Sequence, residues 1–299
     1  MRILITGASG FIGQSLCKYW HQHELTLLSR NVTRAQNLLG EQHQYIESLS
    51  QLDNLNDFDA IVNLAGEAIA DKPWSPKQRQ KIEGSRWALT EQLFELIKHS
   101  ETPPHTFLSG SAIGIYDYSD EPQDENSHFT QGHYPHLVCS KWEDIALQAQ
   151  SPSTRVCLLR TAVVLGVNGG LLKRLAPVFK LGLGGPMGSG KQLMSWIHLE
   201  DQIRAMDFLL TQEQLAGAFN VCAPEVVNNQ HLSKQLASYY HRPCWFKVPS
   251  FALKLGLGEM SEMILASQNI VPKNLLDAGF SFNHPSFDLA LIDSLKTAQ

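Results

Sequence analysis

The sequence lacks any apolar run long enough to cross a membrane, which takes roughly 20 residues as a helix. It also lacks basic excess: Lys and Arg number 24 against 29 Asp and Glu, a net charge of −5. That balance argues against a nucleic-acid binder, which would show a basic face. The five cysteines, Cys17, Cys139, Cys157, Cys222 and Cys244, are odd in number and form no C-x-x-C pair. Reduced thiols in a cytosol are therefore expected, rather than a disulfide framework. The twelve histidines show no metal-ligand spacing, so no metal is expected. Met1-Arg2-Ile3-Leu4-Ile5-Thr6 runs straight into a glycine loop, leaving no room for a signal peptide. What is there is ordinary globular composition, 43% apolar and 18% charged over 299 residues, and a cytoplasmic location is expected. Such a length suits one large domain or two small ones.

The first half alternates short β-branched runs with helical stretches, the rhythm of a parallel sheet with crossover helices. Strands are expected at Ile3–Thr6, Leu25–Leu28, Tyr45–Ile46, Ala60–Leu64, Thr106–Leu108 and Val156–Leu159. Helices are expected at Phe11–Trp20, from about Lys77 to Ile97, and from near Pro135 to about Gln148. Continuous apolar runs, without strict alternation, suit strands covered on both faces. After Arg160 the character changes. Gly166–Gly190 is rich in glycine and is expected to be either a mobile loop or a place where backbone approaches something closely. Helix Glu200–Leu210, strand Ala218–Val221, a helix from about Gln230 and a helical region after Pro249 follow. The expected fold is α/β: a Rossmann-type doubly wound parallel sheet with a smaller C-terminal α/β lobe. Residues 1–165 would form the dinucleotide domain, joined by elements from about 195–225, and 166–299 the substrate lobe.

Gly7-Ala8-Ser9-Gly10-Phe11-Ile12-Gly13 is a G-x-x-G-x-x-G run that follows a strand and opens a helix. Gly7 permits the tight turn, Gly10 lets backbone amides approach a pyrophosphate, and Gly13 lets helix and strand pack closely. Ser9, Phe11 and Ile12 complete the loop, and the helix N-terminus offers free N–H groups to the anion. An Asp or Glu closing the second strand would favour NAD by binding both ribose hydroxyls. This chain has Ser29-Arg30, with Arg34 a turn further on. A guanidinium suits a 2′-phosphate, so NADP(H) is expected rather than NAD(H). Leu64, Ala65 and Gly66 after the fourth strand are small enough to lie beside the adenosine ribose and phosphates.

With these pieces in view, the chain resembles the extended short-chain dehydrogenase/reductases of the nucleotide-sugar epimerase and dehydratase group. The resemblance rests on Thr6–Gly13, Asn63–Gly66, Ser109-Gly110-Ser111-Ala112, Arg160-Thr161 and Ser195–Asp201. A closer likeness is to a poorly characterised epimerase-like branch sometimes labelled as a cell-division inhibitor. Glu67, Trp74, Ser85-Arg86, Ile113–Tyr116, Val138-Cys139, Trp142-Glu143 and Gly182–Gly185 carry it, and Phe251–Glu262 resembles its C-terminal domain. The wider family uses a serine with Tyr-x-x-x-Lys on a helix, whose i, i+4 spacing stacks phenol and ammonium on one face. The resemblance places Ser111 and Lys141 in that set, with Lys141 also on the cofactor ribose. Leu137 stands where the tyrosine belongs, and an aliphatic side chain carries no proton.

Three readings stay open. Another group supplies the proton, with Tyr134 first and Tyr116, Cys139 and His198 as further candidates. Alternatively the protein binds NADP(H) without chemistry, as a sensor or scaffold. In the third, hydride transfer proceeds with water or the substrate handling the proton. Arg160 is expected at the carboxyl end of its strand, with its backbone near the nicotinamide amide. Lys191, Gln192, Trp196 and His198 are expected to line the substrate side. Arg86 stays open between a ligand contact and a structural ion pair, while Trp74, Trp142 and the Phe251–Ile264 apolar run read as structural. The expected partner is a small molecule of unidentified structure, with neither nucleic acid nor membrane, and a homodimer as the candidate assembly.

Overall fold

A computed structural model describes residues 1–130, 132–166 and 169–296. The chain begins β1 (Arg2–Thr6), α1 (Phe11–Tyr19), β2 (Glu24–Leu28), α2 (Val32–Leu39) and β3 (Gln44–Ile46). It continues β4 (Ala60–Asn63), α3 (Pro76–Lys98), β5 (Thr106–Ala112), β6 (Ser119–Gln123), α4 (Tyr134–Leu147), β7 (Arg155–Thr161) and β8 (Val163–Leu165). Next come α5 (Gly170–Lys180), β9 (Leu193–Met194), β10 (Trp196–His198), α6 (Leu199–Thr211), β11 (Gly217–Val221), β12 (Val227–Asn228) and α7 (Asn229–Tyr239). The last elements are α8 (Ser250–Leu257), α9 (Glu262–Leu265), β13 (Gln268–Ile270), α10 (Lys273–Asp277) and α11 (Phe287–Lys296).

Seven parallel strands make the main sheet in the order β3-β2-β1-β4-β5-β7-β11. The chain winds outward from β1 to β3, then returns to the other side of β1 as β4. The order therefore reverses between β1 and β4, and such a switch point opens a crevice at the carboxyl ends of the strands. Both faces are covered, as the continuous apolar runs predict. Ile3, Ile5, Val62 and Leu108 pack with Leu16 and Trp20 and with Ile203, Met206 and Leu209 of α6. Leu4, Ile61, Phe107 and Val156 turn the other way, against Leu93 and Ile97 of α3 and Ala146 of α4. A separate apolar cluster joins α5, β10, α7 and α11 through Leu172, Phe179, Trp196, Leu236, Phe287 and Leu291. β11 pairs with β7, so a strand from beyond the glycine-rich segment closes the main sheet.

Two expectations need correction. The glycine-rich stretch is not a loop throughout: α5 occupies 11 of its residues, and positions 167 and 168 lie outside the described residues. Its Leu171, Leu172, Leu175 and Phe179 fall at helical spacing and pack into the lobe's core, which outweighs the flanking glycines. A four-stranded sheet, β12-β9-β13-β6, was also unforeseen. β6 reads Ser-Asp-Glu-Pro-Gln, a polar sequence whose proline is tolerated only because the strand lies at a sheet edge.

Candidate functional site

At the switch point the backbone leaves no room for side chains. Gly7 has φ +74°, and a Cβ there would lie 2.6 Å from the carbonyl carbon of Leu64. On Gly13 it would lie 2.4 Å from the Gly7 oxygen. The β1–α1 turn is thereby pressed against both its own helix and the end of β4. Thr6 Oγ1 donates to Asn63 Oδ1 at 2.7 Å and receives the Ala65 N–H at 3.2 Å. Asn63 Nδ2 and the Trp142 indole both donate to Thr90 Oγ1 at 2.8 Å. This buried chain ties β1, β4, α3 and α4 together just beneath the crevice. Neither Thr90 nor Trp142 was expected here; the Trp142 ring lies beside Gly110, leaving no space for a Cβ there.

The α1 N-terminus itself is bare. Gly10 is its N-cap, with no side-chain cap and no acidic residue in the first turn. α2, α3, α4, α6 and α7 are each capped by a side chain, Asn31, Ser75, His133, His198 and Asn228, whereas α5, α8, α9 and α10 share the lack of one. A helix end has N–H groups without intrahelical partners, and those of Phe11 and Ile12 have no acceptor among the described residues. Ser9 and Gly10 are exposed, while Phe11, Ile12, Leu64 and Ala65 are half-buried, with Gly66 open beyond them. Arg30, two residues past β2, and Arg34, in the first turn of α2, are both exposed and lack a carboxylate partner among the described residues. Arg86 is folded under Gly66, donating to Glu67 O at 2.9 Å and Ile82 O at 3.2 Å. Burial lowers its pKa, with Cys139, Tyr134 and Glu67 opposing.

The proton-transfer candidates do not converge on one place. Ser111 Oγ is buried and donates to Glu143 Oε1 at 2.5 Å. Glu143 is also gripped by Arg160, whose Nε and Nη2 donate to its two oxygens at 2.9 and 2.8 Å. Arg160 Nη1 donates to Tyr116 OH at 2.8 Å, and that hydroxyl donates to Asn220 Oδ1 at 2.7 Å. Asn220 Nδ2 in turn donates to Val271 O at 2.9 Å, reaching the C-terminal lobe. Burial opposes the charge of Arg160, but the hydrogen bonds and charge of Glu143 outweigh it and hold the guanidinium's pKa high. Burial also pushes the Tyr116 phenol up to about 12, against the pull of Arg160. Arg160 thus turns its side chain into this network, and only its main chain is presented at the end of β7.

Lys141 is exposed, its ammonium 4.3 Å from the centre of the Trp87 ring. Leu137, one turn earlier, is 51% exposed. Tyr134 packs on Trp74 with ring centres 4.9 Å apart and donates to Arg79 O at 3.3 Å. Burial and then Glu83 raise its pKa above that of an ordinary phenol. The Cys139 thiol is pushed up to about 12, by burial first and then by Glu143. His198 caps α6, accepting the Glu200 N–H on Nδ1 at 3.2 Å. Its ring lies against His284, centres 3.8 Å apart, and its Nε2 is 3.5 Å from Asp293. These three bring ligand-type atoms within 4.8 Å of one another. With Nδ1 accepting, the proton of neutral His198 sits on Nε2, facing the carboxylate. Among the substrate-side candidates, Gln192 and Trp196 are buried and Lys191 is exposed. Gln192 donates to Met187 O and Ile264 O at 3.0 Å, a structural role inside the second lobe. Glu143 is the residue whose importance was least visible beforehand, since a lone helical glutamate ordinarily reads as solvated.

The model of the NAD dependent epimerase/dehydratase family matches residues 3–222, and that of a domain of unknown function, DUF1731, matches residues 248–294. The chain is 36% identical over 293 residues to the chloroplastic epimerase family protein SDR39U1 homolog of Arabidopsis thaliana, spanning 95% of this chain and 84% of that protein. An epimerase family protein of Mycobacterium bovis is 37% identical, spanning 97% and 96%. Among solved structures, human epimerase family protein SDR39U1 (isoform 2) with NADPH superimposes with a TM-score of 0.90 at 29% identity, over 99% of each chain.

Proposed function

Because the chain belongs to the NAD dependent epimerase/dehydratase family, we propose that it binds NADP(H) across the β1–β4 switch point as an epimerase-like oxidoreductase. The substrate is a small polar or nucleotide-sugar-like molecule, and Leu137 stands in place of the family's tyrosine. The bare N-terminus of α1 carries this reading: a helix end without a cap, held against β4, suits a diphosphate. The NADPH in the human relative's structure supports the choice of cofactor.

When bound, the nicotinamide supplies the hydride donor or acceptor. The amides of Phe11, Ile12 and Gly13 hold the diphosphate, and Arg30 with Arg34 holds the 2′-phosphate. Leu64, Ala65 and Gly66 flank the adenosine ribose. Tyr134 spends its hydroxyl proton on Arg79 O and is a hydrogen-bond donor, with burial raising its pKa further from that of a base. Ser111 directs its hydroxyl proton to Glu143.

Binding without turnover is the second reading. It is favoured because Ser111, Lys141 and Tyr134 have separate partners, Glu143, Trp87 and Arg79. Calorimetric titration of the full chain with NADPH and NADH tests the first step, with NADPH expected to bind more tightly. Absence of affinity for both nucleotides removes the proposal. NADPH absorbance followed across nucleotide sugars and small carbonyl compounds then separates the two readings.

A further inference from the structure

The second lobe presents a surface that neither its own core nor the cofactor site accounts for. α8 has no buried residue, although six of its eight positions are Phe, Ala, Leu or Gly. Phe251 and Leu255, one turn apart on that helix, are 73% and 88% exposed. Leu181, Leu183, Trp245 and Phe246 are 73%, 60%, 85% and 59% exposed. Segments 181–188 and 242–248 are neighbours in space, and α8 starts two residues after Val248. The Val248 N–H donates to Pro186 O, and the Gly188 N–H donates to Val248 O, both at 2.8 Å, holding segment 242–248 beside the turn after α5. A free helix of eight residues is not stable in water, and leaving so many large apolar side chains in solvent forgoes about 1.5–3 kcal/mol for each one.

Along the chain, the segments that form this surface carry charge of one sign. Residues 166–199 and 226–258 contain eight Lys and Arg and no Asp or Glu, in a chain whose net charge is −5. Lys180 adjoins Leu181, Arg242 donates to Lys180 O at 2.8 Å, Lys247 follows Phe246, and Lys254 lies between Phe251 and Leu255 on α8. None of these four is in an ion pair among the described residues. The nearest acid in sequence, Glu259 beyond α8, is held by Arg79 of α3.

We propose that this face seats on an anionic lipid surface, with α8, Trp245 and Phe246 entering the headgroup boundary and Lys180, Arg242, Lys247 and Lys254 meeting the lipid phosphates. Exposed aromatic and aliphatic side chains rimmed by cations are what an interfacial element requires. A second copy of the chain fits poorly, because a two-fold contact would set these four cations against their own mates. The lack of a long apolar helix among the described residues concerns crossing a bilayer, not lying on one. The inference does not depend on cofactor binding.

Flotation of the full chain with vesicles tests it, comparing phosphatidylcholine alone with phosphatidylcholine mixed with phosphatidylglycerol. Binding is expected to the mixed vesicles, weakening as salt is raised. Lys247→Gln and Lys254→Gln should each lower the partition coefficient roughly fivefold, and Trp245→Ser with Leu255→Ser should reduce it to background. All four residues are exposed or on the surface run, so unchanged melting and NADPH affinity would verify that these chains remain folded. Equal flotation of wild-type and lysine-substituted chains, or none at all, overturns the proposal. So does sedimentation showing a wild-type dimer that Trp245→Ser/Leu255→Ser dissociates without any vesicle binding, which would assign the face to a second copy.

Discussion

The amino end of α1 and the inner face of α4 lie a few strands apart along one sheet edge, yet they are built on opposite principles. At α1 everything is backbone: glycines at 7, 10 and 13, no side-chain cap and no acid in the first turn. At α4 the contact is made by side chains, and the carboxylate at its centre is already engaged. Glu143 alone accepts from Ser111 and twice from Arg160. An open backbone end is a site waiting for an anion, whereas a closed side-chain network is a joint. The part of the crevice that would bind a nucleotide is therefore preformed, while the part that would move protons is given to holding β5, β7, β11 and the C-terminal lobe in register.

Breaking the joint should have the largest effect. Glu143→Ala leaves the Arg160 guanidinium buried with its main partner gone, a change that costs about 3–5 kcal/mol. Urea denaturation is expected to show that loss. The double change Glu143→Leu/Arg160→Met should recover much of it, since replacing a buried pair by apolar groups is often neutral. If Glu143→Ala proves as stable as the parent, the network is not the joint described here.

The complementary test alters only the open end. Gly10→Asp installs a good N-cap on α1, and its Cβ would meet only the Gly7 oxygen, at 3.1 Å. The fold should hold or gain slightly. The new carboxylate, however, would occupy the amides meant for a diphosphate and repel it, so NADPH affinity should fall on the order of 100-fold. Calorimetry and melting read the two effects separately. Retained affinity would mean that the nucleotide sits elsewhere.

This contrast also explains what could be read from the sequence. The α1 half was legible because its determinants are local: three glycines at fixed spacing between a strand and a helix. Gly7 does adopt φ +74°. The α4 half was not, because Ser111 with Tyr116, Glu143, Arg160 and Asn220 come from four separate stretches, and only the packed sheet brings them together. Tyr134 looked available beside Leu137, but the loop carrying Trp74 covers it. β6 escaped notice for the same reason: nothing in Ser-Asp-Glu-Pro-Gln favours a strand until β13 lies alongside.

A smaller effect should divide the two nucleotides. Arg30 is exposed and without a carboxylate partner among the described residues, so its removal should leave the fold intact. Arg30→Ala is expected to weaken NADPH about tenfold, the worth of one charge-assisted hydrogen bond, and to leave NADH almost unchanged. Parallel losses for both nucleotides would discard the 2′-phosphate contact and leave only the diphosphate end.

The smallest effect concerns pH, and it arises at a third helix end, where a side chain does the capping. His198 caps α6 through Nδ1 and is faced by His284, Asp293, Asp201 and Glu200. Burial, then the charge of His284, lowers its pKa below 6.5, with the three carboxylates opposing. A histidine whose folded pKa is depressed binds its proton more readily in the unfolded chain. Its contribution to stability is thus full above the unfolded pKa, and it is lost as pH falls from about 6.5 toward the folded value. Protonation of Nδ1 would also turn the cap's acceptor into a donor. His198→Asn keeps an acceptor at the N-cap and removes the titration. Its melting temperature should therefore decline less steeply with acid than that of the parent, the remaining slope coming from His133, His23 and His43, which burial also depresses. Superimposable pH profiles would show that the His198–His284 contact yields on protonation, and that this helix end, unlike that of α1, is indifferent to the charge placed on it.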